Sequence, residues 1–366
     1  MTPRPPLREQ WYIAARSREL GRAPLARTVA GEPLALFRDE DGRPAALLDR
    51  CLHRNMALSA GRVVGGCLQC PYHGWRYDGR GRCREVPSLG EGRPVPAFRP
   101  LPAYPTGESQ GYVWVFMGEA PVAGPFRFPH LGEPGWTSFR MTTAFPASAF
   151  ACLENFLDVP HTVFVHRGWF RTRSLRQLST RVRRFAARVE AEFRDEPVAR
   201  SLVGALFFPP DRPLQHRDRF LMPAISRVDY RFGSDRHFII TSQCTPVSDR
   251  ETLVYTVITF RFGRIGPLVR LVFEPLARRI IRQDVEILAR QSQQLDRFGG
   301  PRFASVETDL FARHIRALWS PAGRVEGDPV EAAPSNDRSA GAAGGEPPTC
   351  SAPALPEVET EVAIRF

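Results

Sequence analysis

The sequence predicts an α+β protein of two domains. Residues 1–120 form an all-β unit, and residues 121–320 form an α+β unit whose sheet packs around a long C-terminal helix. Three observations lead there. The chain has 366 residues, and a single hydrophobic core stops growing at about 250–300. Its first third alternates short apolar runs with turn signals, and its second half ends in one long helical stretch.

In chain order, residues 34–37 and 45–48 are strand-like and flank Asp39-Glu40-Asp41-Gly42, which reads as a hairpin turn. Residues 112–116, Tyr-Val-Trp-Val-Phe, read as a buried strand. A Pro- and Gly-rich linker follows over 121–134. Residues 150–166 suit one helix, and strands are expected at 202–208, 227–232, 238–243 and 252–262. Residues 268–298 then read as a helix broken or bent near Pro275, which the sheet wraps around or covers. Residues 321–366 form a tail. Its Gly, Ala, Pro, Ser and acidic residues offer too little apolar area to offset the entropy of ordering, so it is expected to be disordered, although 358–364 alternate in the manner of a strand.

Composition removes several function classes. Hydrophobic residues make up 43% and aromatics 10%, as in globular domains. The net charge of +11 comes entirely from arginine, since lysine is absent, and with 35 Pro and 29 Gly this reads as coding bias. Arg167 to Arg200 holds ten arginines and four acids without an aromatic stacking pattern, so nucleic-acid binding is not expected. No apolar run is long enough to span a membrane and no secretory segment opens the chain, which predicts a cytoplasmic protein. The apolar stretch over 253–281 is interrupted by arginines and could at most lie on a membrane surface. Seven cysteines, an odd number, point to metal ligation or buried thiols and not to a disulfide framework.

Cys51-Leu52-His53 and Cys70-Pro71-Tyr72-His73 place two thiolates and two imidazoles on two turn-like loops. Cys₂His₂ suits a tetrahedral zinc, and it also suits a two-iron cluster with thiolates on one iron and imidazoles on the other. The surrounding residues, Cys51-Leu52-His53-Arg54 and Cys70-Pro71-Tyr72-His73-Gly74-Trp75, resemble the Rieske motif of the Rieske non-haem iron oxygenases. That resemblance implies that residues 1–120 are a Rieske [2Fe-2S] domain. Cys51 and Cys70 would hold the inner iron, and His53 and His73 the outer one. A zinc site on Cys67, Cys70 and Cys83 would lack a fourth ligand and leave both histidines unused. Cys67 and Cys83 are therefore expected to be loop thiols, and Cys152, Cys244 and Cys350 lie outside any ligand spacing.

Asn155, Asp158, His161 and His166 follow the Asn-x-x-Asp-x-x-His-x-x-x-x-His pattern that the same family carries in its catalytic domain. The resemblance implies that His161 and His166 are two legs of a facial triad for Fe(II), which needs a carboxylate as its third. Helical spacing puts Asp284 on a stripe with Ile280, Ile281, Ile287, Leu288 and Gln291, where a carboxylate is costly without a partner. Glu286 falls beside Arg282, Arg290 and Gln293 on a solvated face. The family's carboxylate pattern matches at Asp284, Ile287 and Gln291 and departs at Gln283 and Ala289, where acids are common. Asp284 is the expected third ligand, with Asp296 and Glu286 as alternatives. The resemblance further implies that Asp158 bridges His73 of one chain to His161 of the next, with a capping aspartate as the plainer reading, and that Asn155 lies behind the ligands. His130, His216, His237 and His314 are expected to be structural.

By resemblance, the chain is expected to be an oxygenase component that takes electrons, drawn indirectly from NAD(P)H, from a ferredoxin and/or flavin reductase and activates O₂ beside a small organic substrate. The expected assembly is a homotrimer. The layout looks like the monooxygenase and demethylase branch, acting on an aromatic compound or a secondary metabolite. Ring dihydroxylation and oxidative cyclisation stay open, as does a Rieske electron carrier lacking the catalytic iron or a zinc-stabilised binding module.

Overall fold

A computed structural model describes residues 8–90, 93–166, 177–194, 214–233, 235–319 and 357–365. Eleven strands lie in the first third: β1 (Trp11–Arg16), β2 (Leu25–Val29), β3 (Glu32–Arg38), β4 (Pro44–Leu48), β5 (Arg62–Val64), β6 (Cys67–Gln69), β7 (Arg76–Tyr77), β8 (Cys83–Glu85), β9 (Ala103–Tyr104), β10 (Thr106–Ser109) and β11 (Tyr112–Phe116). They form small antiparallel sheets in the orders β1-β11-β10, β2-β3-β4-β9 and β5-β6-β7-β8. The expected turn between β3 and β4 is present. Asp39 Oδ1 accepts the backbone N–H groups of Asp41 and Arg43 at 3.0 and 2.9 Å, so one short acidic side chain closes the hairpin. Cys67 and Cys83 stand on β6 and β8 and not in loops, a correction with a simple cause: these strands are three residues each, too short to read from alternation.

The second unit is one eight-stranded antiparallel sheet with helices against its inner face. Its strands are β12 (Thr137–Phe145), β13 (Gln177–Phe185), β14 (Arg188–Arg194), β15 (Leu214–Leu221), β16 (Ile225–Phe232), β17 (Arg236–Ser248), β18 (Glu251–Arg261) and β19 (Val358–Arg365), in the order β12-β18-β17-β16-β15-β14-β13-β19. The strand expected at 202–208 lies outside the described residues. The helices are α1 (Ala149–Leu157), α2 (Thr162–Val165), α3 (Gly266–Arg297) and α4 (Ala312–Trp319).

Three expectations need correction. Residues 150–166 are two helices, because Pro160 disfavours the helical conformation at the residue before it and has no N–H of its own to donate. α3 runs unbroken through Pro275. The carbonyl that loses its donor belongs to Leu271, which is 71% exposed, so water can replace the lost bond. The tail is not wholly disordered: β19 pairs with β13 from Gln177↔Arg365 to Arg184↔Val358. Val362 and Ile364 are buried on one face, and on the other Arg181 pairs with Glu359 and Glu361, each at 3.2 Å. The second unit therefore recruits residues 358–365.

The two units share a core. Tyr12, Val113 and Val115 of the first pack in one cluster with Phe145, Ala147, Leu153 and Phe193 of the second. β1 is also tied to the sheet by side-chain hydrogen bonds. Thr245 donates to the Ile13 carbonyl at 2.7 Å and the Tyr255 hydroxyl to the Ala14 carbonyl at 3.1 Å, at a register shift in β1.

Candidate metal centres

The first site lies on the loops after β4 and β6. Cys51 N–H donates to the Met56 carbonyl at 2.9 Å and Cys70 N–H to the Trp75 carbonyl at 2.8 Å, so each loop is folded back on itself around its cysteine. Asn55, at φ 59, and Gly74, at φ 75, take the left-handed positions these turns need. A Cβ at Gly74 would also meet the Pro87 ring at 3.0 Å. Cys51 and Cys70 are buried free thiols within hydrogen-bonding reach of each other. His73 is exposed and His53 half-buried, with ring centroids 4.4 Å apart and the His53 ring stacked on Trp75. His53 Nδ1 is buried without a hydrogen-bond partner. Two soft donors inside, two imidazoles outside and an orphaned ring nitrogen fit a two-iron cluster held between the loops. The Tyr77 hydroxyl lies 3.2 Å from Cys51 Sγ, a contact the motif does not announce.

The second site assembles from α1, α2 and α3. Ser148 caps α1 by accepting from Ala151 N–H at 3.2 Å. Asp158 ends it, and the turn at Pro160 starts α2 in a new direction with His161 and His166 at its two ends. α3 brings Asp284 up from the opposite side, between buried Ile280 and Leu288. One ligand atom each of His161, His166 and Asp284 lies within 4.8 Å of the others. Asp284 Oδ1 stands 3.0 Å from His166 Nε2 and 3.6 Å from His161 Nε2, and the two Nε2 atoms are 3.3 Å apart. Asp284 Oδ1 is buried and makes no hydrogen bond, and neither does Asn155 Oδ1. Two imidazole nitrogens and a carboxylate oxygen converging in a buried place, with that oxygen unsatisfied, fit a divalent iron.

Electrostatics agree with that chemistry. Burial pushes the Asp284 carboxyl up, but the two imidazoles outweigh it and hold it below the usual carboxylate range. Burial pushes His166 down, and Asp284 and Gln283 more than reverse this. Of the alternative carboxylates, Glu286 is exposed and Asp296 pairs with Arg250. Ile287 is 40% exposed, so the stripe is narrower than its spacing suggests.

His161 and His166 are oriented through their other nitrogens. His166 Nδ1 is 3.0 Å from Gln283 Oε1, which fixes Nε2 as the atom facing Asp284 if Nδ1 carries the proton. His161 Nδ1 contacts the Asp158 carbonyl, and Asp158 Oδ2 is 3.8 Å away with the side chain 40% exposed. Gln283 is the residue that the sequence hid: it departs from the family's acid, and only its place beside Asp284 hinted at a role. Of the other histidines, His216 stacks between Phe193 and Tyr230 and bonds Asp218 at 2.8 Å, and His237 meets Asp229 at 3.1 Å.

A Rieske-type protein with a second, His₂-carboxylate centre is thus the class that fold and sites define. Similarity to known proteins narrows it. Residues 10–105 match the Rieske [2Fe-2S] domain family, and residues 145–321 match the vanillate O-demethylase oxygenase C-terminal domain family. The chain belongs to the Rieske non-haem iron oxygenases. It is 36% identical over 179 residues to the oxygenase component of dicamba O-demethylase from Stenotrophomonas maltophilia, a match covering 48% of this chain and 52% of that protein. Aminopyrrolnitrin oxygenase of Pseudomonas fluorescens is 28% identical over 302 residues, covering 72% of this chain and 77% of the relative. The chain thus spans about half of the first relative, and 26% and 30% of a Chlamydomonas reinhardtii chlorophyllide a oxygenase and an Arabidopsis thaliana TIC 55 protein. The crystal structure of dicamba monooxygenase bound to dicamba superposes with a TM-score of 0.72 at 26% identity, over 85% of this chain and 97% of that one. A Pseudomonas putida NdmA structure with caffeine shares the fold at 22% identity, with a TM-score of 0.70 over 87% and 92% of the two chains.

Proposed function

We propose that this chain is the oxygenase component of a cytoplasmic system in which a ferredoxin and/or flavin reductase, fed by NAD(P)H, supplies electrons for hydroxylation or oxidative demethylation of a small aromatic or secondary-metabolite substrate. The observation that carries this is the buried convergence of His161, His166 and Asp284 in a chain that also holds the Cys51, His53, Cys70 and His73 site. A carrier of electrons alone has no use for the second centre.

When bound, the [2Fe-2S] cluster supplies a one-electron store and Fe(II) supplies open positions where O₂ can be activated beside substrate. The protein's own part is positional and electrostatic. Cys51 and Cys70 hold the inner side of the first site in the core, while His53 and His73 keep its outer edge at the surface for exchange with a donor. His161, His166 and Asp284 hold one face of the second site. Gln283 and the Asp158 carbonyl accept the Nδ1 protons of the two imidazoles and keep Nε2 available. Asn155, one turn of α1 before Asp158, buries an amide oxygen that has no hydrogen-bond partner. The Asp158 carboxylate reaches the surface beside His161, which suits it to accept a hydrogen bond from His73 of a neighbouring chain in a homotrimer. Exposed apolar side chains on the cluster loops, Leu52, Met56 and Tyr72, and on the helix after Asp158, Phe164, support such a contact.

The test is to reduce the purified holoprotein and expose it to aromatic methyl ethers, N-methyl compounds and unsubstituted arenes under ¹⁸O₂, reading products by mass spectrometry. One labelled oxygen in a hydroxylated product, or formaldehyde with a demethylated one, is expected. A doubly labelled cis-diol would make the enzyme a dihydroxylase. A colourless protein without acid-labile sulfide would sink the reading altogether.

A further inference from the structure

Neither metal site uses the first turns of α3, yet these turns carry a concentration of exposed apolar side chains. Ile265, Leu268, Leu271 and Val272 are 50%, 66%, 71% and 56% exposed, and Pro267 and Pro275 lie open between them. The other side of the same turns is fully occupied, because Phe273, Leu276, Ala277 and Ile280 pack with Phe139, Phe238 and Phe260 of the sheet. A surface helix of a globular protein is normally polar on the side away from its core, so a second apolar face on the solvent side marks a contact surface.

Charge says what kind of contact. Residues 261–283 contain six arginines and one acid, Glu274. That acid is already shared between Arg270 and Arg278 at 3.1 and 2.7 Å. Arg236 stands over the Phe262 ring and Arg261 over Trp136 at the adjoining strand ends, and the acids near that corner include Asp235 and Glu133, the latter bonded to His130 at 2.7 Å. A second copy docking through this face in a two-fold contact would bring arginines against arginines, which disfavours self-association. Aliphatic side chains in a row on one helix with guanidinium groups around them suit a surface that is apolar below and anionic above, as a lipid headgroup layer is.

We propose that the exposed face formed by the turn before α3 and its first turns, from Arg264 to Arg279, is a docking site for an anionic lipid surface. The apolar row sits at the acyl boundary and the arginines at the phosphates, with the helix axis in the membrane plane. The contact is peripheral, since among the described residues no helix is long and apolar enough to cross a membrane. It depends on neither metal centre.

The holoprotein is sedimented with vesicles of phosphatidylcholine containing phosphatidylglycerol, and with vesicles of phosphatidylcholine alone, at low and high salt. Binding to the anionic vesicles only, released by salt, is expected. Leu268→Glu/Leu271→Glu lowers that binding by about tenfold or more, and Arg264→Gln/Arg279→Gln weakens it and reduces its salt dependence. Cluster absorption and iron content stay at wild-type values in both variants, which certifies their fold. Wild-type protein that binds neither vesicle, or variants that bind as wild type does, would overturn the proposal. So would salt-sensitive binding to polyglutamate that the two leucine changes leave intact, which would assign the face to an acidic protein, or self-association that those changes abolish.

Discussion

Asp284 is a carboxylate on a buried helical stripe, where an unpartnered charge is strongly unfavourable, and its Oδ1 faces the two imidazoles at 3.0 and 3.6 Å without a hydrogen bond to replace water. A divalent ion resolves both problems at once. Asp284→Ala is therefore expected to lower total iron from about three to about two atoms per chain while the visible spectrum of the cluster persists; metal analysis against absorbance checks this, and unchanged iron would remove Asp284 from the ligand set. Tyr77 makes the corresponding statement at the other site. Its hydroxyl can donate to the Cys51 sulfur at 3.2 Å, and a hydrogen bond to a ligand sulfur favours the more negative, reduced state. Tyr77→Phe is expected to lower the cluster potential by about 40–60 mV, the equivalent of one ordinary hydrogen bond of about 1 kcal/mol for a one-electron couple, as read by redox titration. Such partners were harder to read than ligands. Cys51, His53, Cys70 and His73 sit in fixed local spacings, whereas Tyr77 acts across a sheet and Gln283 acts across helices, and no short motif encodes either distance.

At the scale of elements, the sheet's outer face carries a network that a single strand cannot display. Asp229 on β16 meets Arg219 of β15 at 2.6 Å, Arg227 at 2.8 Å and His237 of β17 at 3.1 Å. Burial alone pushes its carboxyl up, but His237, Arg227 and Arg219 outweigh that and bring it down to about 2. A carboxyl with a depressed folded pKa contributes stability that is complete above its unfolded value near 4 and is lost as pH falls from there to about 2. Asp229→Asn is thus expected to cost about 2 kcal/mol at pH 7 and to flatten the fall in stability between about pH 4 and 2; urea unfolding across that range measures both, and parallel curves would refute the network's role. The same scale explains what was legible. The Asp39–Gly42 turn and the strands at 227–232, 238–243 and 252–262 were readable because their signals are local. β19 was legible only in its alternation over 358–364, not in its ordering, because its stability comes from docking beside β13, some 180 residues earlier in the chain.

For the whole molecule, the proposed function turns on an arrangement between subunits. The cluster loops expose His73, Tyr72 and Met56, and the second unit exposes the Asp158 carboxylate beside His161, with Phe164 open on the helix that follows. Two different patches that fit each other make a head-to-tail contact, which closes into a ring when its rotation allows. If electrons pass across that contact, a chain with a ruined cluster and a chain with a ruined second centre complement each other. His73→Ala removes a cluster ligand, and His161→Ala removes a ligand of the iron centre and leaves the cluster. Each homotrimer alone is expected to be inactive. In trimers assembled at random from equal amounts, a productive junction needs an intact iron site beside an intact cluster in the right order. That arises at about one junction in four, so about a quarter of wild-type turnover returns. Transfer within one chain predicts no recovery at any mixing ratio, because every chain in the mixture then carries one broken centre. Turnover that rises on refolding the two variants together, with a maximum near equal amounts, separates these outcomes without knowledge of the natural donor.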